Sequence, residues 1–315
     1  METLLSPVVL FFALGALAAF ARSDLAIPEP LSKSLSLYLM CAIGLKGGIL
    51  VADNGFSVDL FLAAGAGLLL ACLIPVGAFF VLRSFGKLDV TNAAAIAAHY
   101  GSVSVVTFIA GNQILTDSGM PPAGFMIAVL ALMETPAIIV GLYLARRDPN
   151  VKVQSDGSLM RETLLNGAVV LLTGSFIIGL IIGKEGFEPI APVFQVGFTG
   201  LLCLFLLDMG LLAARRLRHA KGLTARLVFL GVLFPVINGT IGVVLGTLLG
   251  LDVGTTVALA ILAASASYIA VPAAMRMALP KADAGLYLTM SLAITFPFNI
   301  ILGIPLYTYL ANLMV

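Results

Sequence analysis

Residues 99–107 read His99-Tyr100-Gly101-Ser102-Val103-Ser104-Val105-Val106-Thr107, and residues 263–272 read Ala263-Ala264-Ser265-Ala266-Ser267-Tyr268-Ile269-Ala270-Val271-Pro272. Each stretch lies inside an apolar run long enough to enter a bilayer. Each carries hydroxyls two residues apart, Ser102/Ser104 and Ser265/Ser267. That spacing does not line one face of a helix. It suits extended backbone, where alternate residues point the same way, and Pro272 opposes a regular helix nearby. The pair therefore predicts two helices broken at equivalent depths in a membrane protein.

The rest of the chain agrees. Of 315 residues, 60% are hydrophobic and only 10% charged, against about 25% charged in a soluble domain. Most of such a surface must face lipid. Apolar windows separated by charged or Pro/Gly-containing breaks predict ten spans, near 4–21, 34–52, 58–82, 91–115 and 123–145, then 163–183, 193–213, 225–250, 254–278 and 284–312. At about 20 residues per span, little chain is left for a soluble domain. Residues 1–22 lack a positive start and read as a retained first span rather than a signal peptide.

The loops after odd-numbered spans and their flanks hold fifteen Lys and Arg, whereas the opposite side holds only Lys184. By the positive-inside rule, both termini are expected outside a cell (inner or plasma) membrane, with the linker 147–162 in the cytoplasm. The near-neutral balance of +1 offers no nucleic-acid footprint. Cys41, Cys72 and Cys203 have no metal-ligand spacing and read as small apolar-region residues.

The two halves match at a nearly constant offset. Leu88-Asp89-Val90 recurs as Leu251-Asp252-Val253, Ala123-Gly124-Phe125 as Ala284-Gly285-Leu286, Pro136 as Pro297, and Gly48 as Gly210. Five spans per half is odd, so the second copy enters from the opposite side. The expected fold is all-α: ten transmembrane helices in two inverted five-helix repeats, 1–146 and 163–315, a recurrent plan of secondary transporters. Such transporters bind substrate where broken helices from both repeats meet. The candidate substrate-binding residues are Gly101, Ser102, Val103, Ser104, Ser265, Ala266 and Ser267. Hydroxyls there can donate to an oxyanion or, with backbone carbonyls, accept Na⁺; close helix packing is the competing reading.

Ionisable residues within spans default to function. Glu134 interrupts an apolar run in Met133-Glu134-Thr135-Pro136, and Lys46 and Asp208 each stand two residues before the matched Gly48 and Gly210. Opposite in charge at equivalent positions, they pair with each other or serve separate ion paths; Lys46 can also snorkel to the surface. The candidate ion-binding or coupling residues are Glu134, Thr107, Lys46, Asp208 and Tyr268. His99, Thr295 (the repeat equivalent of Glu134) and Asn299 are weaker candidates. No nucleotide-binding motif is present, so ATP-driven transport by this chain alone is not expected. An intramembrane enzyme would need a nucleophile–base pair or metal ligands in the spans. The two histidines, one of them His219 in a basic loop, supply no His-rich site. A receptor or scaffold would need a partner domain for which the chain has no room.

The succession Ile43-Gly44-Leu45-Lys46-Gly47-Gly48, Gly101-Ser102-Val103-Ser104 with Thr107, Glu134-Thr135-Pro136-Ala137 and the serine run ending Ile269-Ala270-Val271-Pro272 resembles the sodium-dependent bicarbonate transporters of the SbtA type. The resemblance covers nearly the whole chain, through short motifs. It implies Na⁺/bicarbonate symport, a core domain moving against a gate domain, a homotrimer and, in cyanobacteria, a PII-like regulator, for which the short linker offers no separate support. It further implies that the two serine stretches bind bicarbonate and Na⁺, and that Glu134 stands where cyanobacterial members tend to have Asp. Two departures stand out: Tyr268 replaces an Asp of the serine run, and Lys46 replaces an uncharged residue. The expected coupling ion is Na⁺, with Lys46 as a fixed charge partly replacing it. Proton-coupled carriage of another small monocarboxylate is the alternative. No cofactor, resident metal or catalytic residue is expected.

Overall fold

The computed structural model describes residues 5–55, 57–147, 165, 167–220 and 222–315. All regular structure among them is helical. The helices are α1 Pro7–Phe20, α2 Glu29–Asn54, α3 Val58–Ser84, α4 Val90–Gly101, α5 Val105–Asp117, α6 Met126–Glu134, α7 Pro136–Ala145, α8 Gly167–Phe187, α9 Phe198–Arg218, α10 Ala225–Leu248, α11 Val253–Ala264, α12 Ala270–Ala278 and α13 Ala284–Met314. Eight segments, counting α4–α5 and α6–α7 as one each, are long and apolar enough to cross a membrane; α1 and α11 are apolar but shorter. Backbone polar groups in hydrocarbon must be satisfied within the chain, and helices do this. Most of the linker expected at 147–162 lies outside the described residues; Arg147 sets its guanidinium over Phe80, 5.1 Å from the ring centroid.

Local chemistry explains the ends. Asp89 caps α4 by accepting from the Asn92 amide at 2.9 Å, and Asp252 caps α11 by accepting from the Thr255 amide at 3.0 Å. Burial pushes the Asp89 carboxyl up, but hydrogen bonds from Asn92 and neighbouring backbone outweigh it and hold the group below its ordinary value. Pro136 has no N–H to give and separates α6 from α7. Between α8 and α9, where the apolar window runs on, residues 188–196 instead form 3₁₀ and π turns, so the seventh predicted span starts late, at Phe198. Within α13, π turns cover Thr289–Thr295 and Asn299–Gly303 around Pro297.

Packing separates two groups of helices. α2 lies along α8, α1 along α9, and α9 also meets α2. These contacts are made through glycine. A Cβ on Gly15 would collide with the Leu207 carbonyl, and one on Gly210 with the Phe12 carbonyl. In the other pair a Cβ on Gly179 would collide with the Leu45 carbonyl, and one on Gly48 with the Phe176 carbonyl. The helix backbones therefore touch, as small residues permit in membranes. The second group packs α3 on α4, α4 on α7, α10 on α11 and α11 on α13. Its centre is α4 and α11, whose residues are almost all buried.

Candidate functional site

Both serine stretches interrupt their helices. α4 ends at Gly101, and Ser102 and Ser104 take extended backbone (φ −86°, ψ 174° and φ −104°, ψ 107°). Gly101 is required by packing, since a Cβ there would lie 2.5 Å from the Pro75 ring of α3. Ser104 restarts the chain as α5, its hydroxyl accepting from the Thr107 amide at 3.2 Å and from the Thr107 hydroxyl at 2.9 Å. In the second half α11 stops before Ser265, also extended (φ −80°, ψ 163°), and α12 begins at Ala270, its Val271 amide donating to the Ser267 hydroxyl at 3.5 Å.

The two interruptions are joined. The Ser104 amide donates to the Ser265 hydroxyl at 2.9 Å, which in turn donates to the Leu262 carbonyl at 3.0 Å. The Ser267 amide donates to the His99 carbonyl at 2.8 Å. Gly101, Ser102, Val103, Ser104, Thr107, Ser265, Ala266 and Ser267 are thus gathered in one buried crossing. The α5 and α12 N-termini both start there, and helix N-termini favour negative charge.

Glu134 joins this crossing from a third helix. It closes α6 at the Thr135–Pro136 break, and the Ser102 hydroxyl donates to its backbone carbonyl at 3.1 Å. Its side chain is 2% exposed, and Oε2 has no hydrogen-bond partner. A carboxylate so placed needs a cation or a proton. Tyr268 brings its ring against Phe296; its buried hydroxyl neighbours Ser104 without hydrogen-bond geometry.

Histidine 99 is fully buried. Its Nδ1 lies 2.6 Å from the Ala95 carbonyl and so carries the proton, while Nε2 has no partner and the ring stacks on Tyr287 at 4.4 Å. Thr295 accepts from the Tyr100 hydroxyl at 2.7 Å and donates to the Gly231 carbonyl at 2.6 Å. Asn299 donates to the Ala264 carbonyl at 3.0 Å and accepts from the Tyr307 hydroxyl at 2.8 Å. These two support α4 and α11 from α13; Tyr307, the anchor of Asn299, is not among the candidates that the residue pattern singles out.

Lys46 and Asp208 do not meet. Asp208 accepts a short hydrogen bond from Ser32, at the Glu29 end of α2. Lys46 places its ammonium 4.1 Å from the Phe198 ring centroid, at the start of α9, and lines a separate cavity to which no residue of the serine stretches contributes. Of the five coupling candidates, Glu134, Thr107 and Tyr268 belong to the crossing; Lys46 and Asp208 lie elsewhere.

A multi-helix membrane protein with two interrupted helices crossing beside a buried carboxylate has the build of a transporter. The family model for the Na⁺-dependent bicarbonate transporter superfamily matches residues 7–312, and the chain belongs to that superfamily, one of transporters and not of enzymes. No match was found among the curated proteins.

Proposed function

We propose that this protein is a secondary active transporter that imports bicarbonate with Na⁺, binding the anion at the crossing of the two serine stretches. The observation that carries this is the pair of hydrogen bonds joining the interruptions, Ser104 to Ser265 and Ser267 to His99. They bring two helix N-termini and several hydroxyls to one buried place, beside the unpartnered Glu134 carboxyl. In this reading the Ser102, Ser104, Ser265 and Ser267 groups hold the anion, and Glu134 with Thr107 and backbone carbonyls holds the cation.

The reading includes ten spans in two inverted repeats, with α1, α2, α8 and α9 as a gate against a core of the others. Its support is a recurrence of contacts. Gly15 meets the Leu207 carbonyl as Gly179 meets that of Leu45, and Gly210 meets the Phe12 carbonyl as Gly48 meets that of Phe176. Asp89 and Asp252 cap helices of equal length, 12 residues each, that end at the two interruptions. An outside location for both termini, a homotrimer and a cell-membrane location complete the proposal. A PII-like regulator is implied by the family resemblance alone.

A second reading, proton coupling to a small monocarboxylate, is favoured by one observation: Glu134 is the only buried carboxylic residue among the described residues, with Tyr268 in place of a second acid. Uptake into proteoliposomes of the purified chain separates the two. Bicarbonate accumulation driven by an inward Na⁺ gradient, and unaffected by a protonophore, is expected. Accumulation driven by a proton gradient without Na⁺ would replace Na⁺ coupling with the second reading, and no uptake of any anion would refute both.

A further inference from the structure

Lys46 is a cation within a membrane-spanning helix, and such a charge needs a partner. Among the described residues it has no carboxylate and no hydrogen bond; Lys184–Asp53, at 2.7 Å, is the one ion pair found there. What Lys46 has is the Phe198 ring, which holds an ammonium by its face without neutralising it. Lys46 lines a cavity of about 360 Å³ bounded by α2, the Asp117 end of α5, the 121–124 segment, the Phe187 end of α8 and the turn before α9. No carboxylate lines this space, while two lysines, Lys46 and Lys184, do, with Asn112, Gln113, Thr116 and Gln195. Two nearby acids are engaged, Asp53 with Lys184 and Asp117 as acceptor from Gln113 at 2.7 Å, and Glu185 and Glu188, beside the lining Lys184 and Phe187 in sequence, do not line the space. The Asn112 side-chain amide makes no hydrogen bond among the described residues and can donate into the cavity.

An unneutralised cation, a free amide donor and a lining without carboxylates are the chemistry that receives a small oxyanion. We propose that this cavity is a second anion site, in which Lys46 and Asn112 bind a small oxyanion of the carbonate or carboxylate type. It is separate from the serine crossing but linked to it. Asn112 lies on α5, the helix that Ser104 caps, about 12 Å along at 1.5 Å per residue. Binding here requires neither Glu134 nor Na⁺. The site's role in loading the anion toward the crossing rests on the transport reading above; the binding itself does not.

The chain has no tryptophan, so Phe198→Trp introduces a single fluorophore under the Lys46 ammonium. Purified F198W in detergent is titrated with choline bicarbonate and choline formate, at constant ionic strength and without Na⁺. A saturable change in emission is expected. It should persist when Glu134→Ala is added and vanish when Lys46→Gln is added. No saturable change, or an identical change in the K46Q background, would overturn the proposal. Should F198W fail to fold, calorimetric titration of the unaltered chain, K46Q and K46R decides instead. K46Q should weaken anion binding at least about tenfold, and K46R should recover most of it. Equal binding by all three would overturn the site. An intact anion response in a protein that transports no anion would refute the transport reading and leave this site standing.

Discussion

The two helix interruptions do the same thing by different means. The first is nearly self-sufficient: Gly101 lets α4 end against Pro75, and Ser104 with Thr107 starts α5 at once. The second runs over residues 265–269, and its helix α12 receives from within only one long bond, from the Val271 amide to the Ser267 hydroxyl at 3.5 Å. It is held from outside, by Ser104 and His99 across the crossing and by Asn299 from α13. Places that match in residue order need not be equally stable. Here the two interruptions lean on each other, but the second is the less firmly capped, and movement at the crossing should begin there.

Glu134, which lies in neither interruption but is bonded to the first through Ser102, should show the largest effect. In the proposed function its replacement by Ala removes a charged ligand, a loss on the order of 1.5–3 kcal/mol, so half-maximal Na⁺ for uptake should rise about ten- to a hundredfold. Unchanged Na⁺ dependence in E134A would remove it from the coupling site. Next comes Ser265→Ala, which strips the buried Ser104 amide of its acceptor. It should destabilise by about 1–3 kcal/mol, read as a lowered melting temperature in detergent. Gly101→Ala pushes a Cβ into Pro75 and should cost about 1–3 kcal/mol. At the matched Ala264, already a buried alanine, the reverse change Ala264→Gly should cost no more than about 1 kcal/mol. Equal losses at Gly101 and Ala264 would break the contrast between the interruptions.

The smallest effect concerns the caps behind them. The Asp89 carboxyl is held below its ordinary 3.8, so its contribution to stability is present above that value and is lost as pH falls through the lowered one. Asp89→Asn should flatten the acid limb of the stability profile. Its melting temperature near neutrality should fall only slightly, by a fraction of the roughly 1 kcal/mol that a whole cap is worth.

Much of this was readable from residue order. Apolar runs locate helices because lipid imposes one rule on every backbone group, and most observed helices begin and end near the windows. The Ser-x-Ser spacing betrays extended backbone, and both interruptions occur there. Other features leave no local trace. The Ser102 bond to the Glu134 carbonyl joins residues far apart in sequence, and neither residue type advertises it. The sequence offset sets Lys46 and Asp208 at matched positions but says nothing of their partners. The partners proved to be Phe198 and Ser32, because α2 and α9 cross with each charge facing the beginning of the other helix. The π turns of α13 depend on packing around Pro297 and Asn299, which periodicity cannot register.

The glycine contacts of α1 with α9 and of α2 with α8 have a mechanical consequence. Carbonyl oxygens stand where a methyl group would not fit, so neither pair can rotate or slide by a residue without driving a side chain into main chain. Each pair is a stiff plank. Whatever this protein does to admit and release its cargo, the slip plane must run along the planks' broad outer faces and not down their seams.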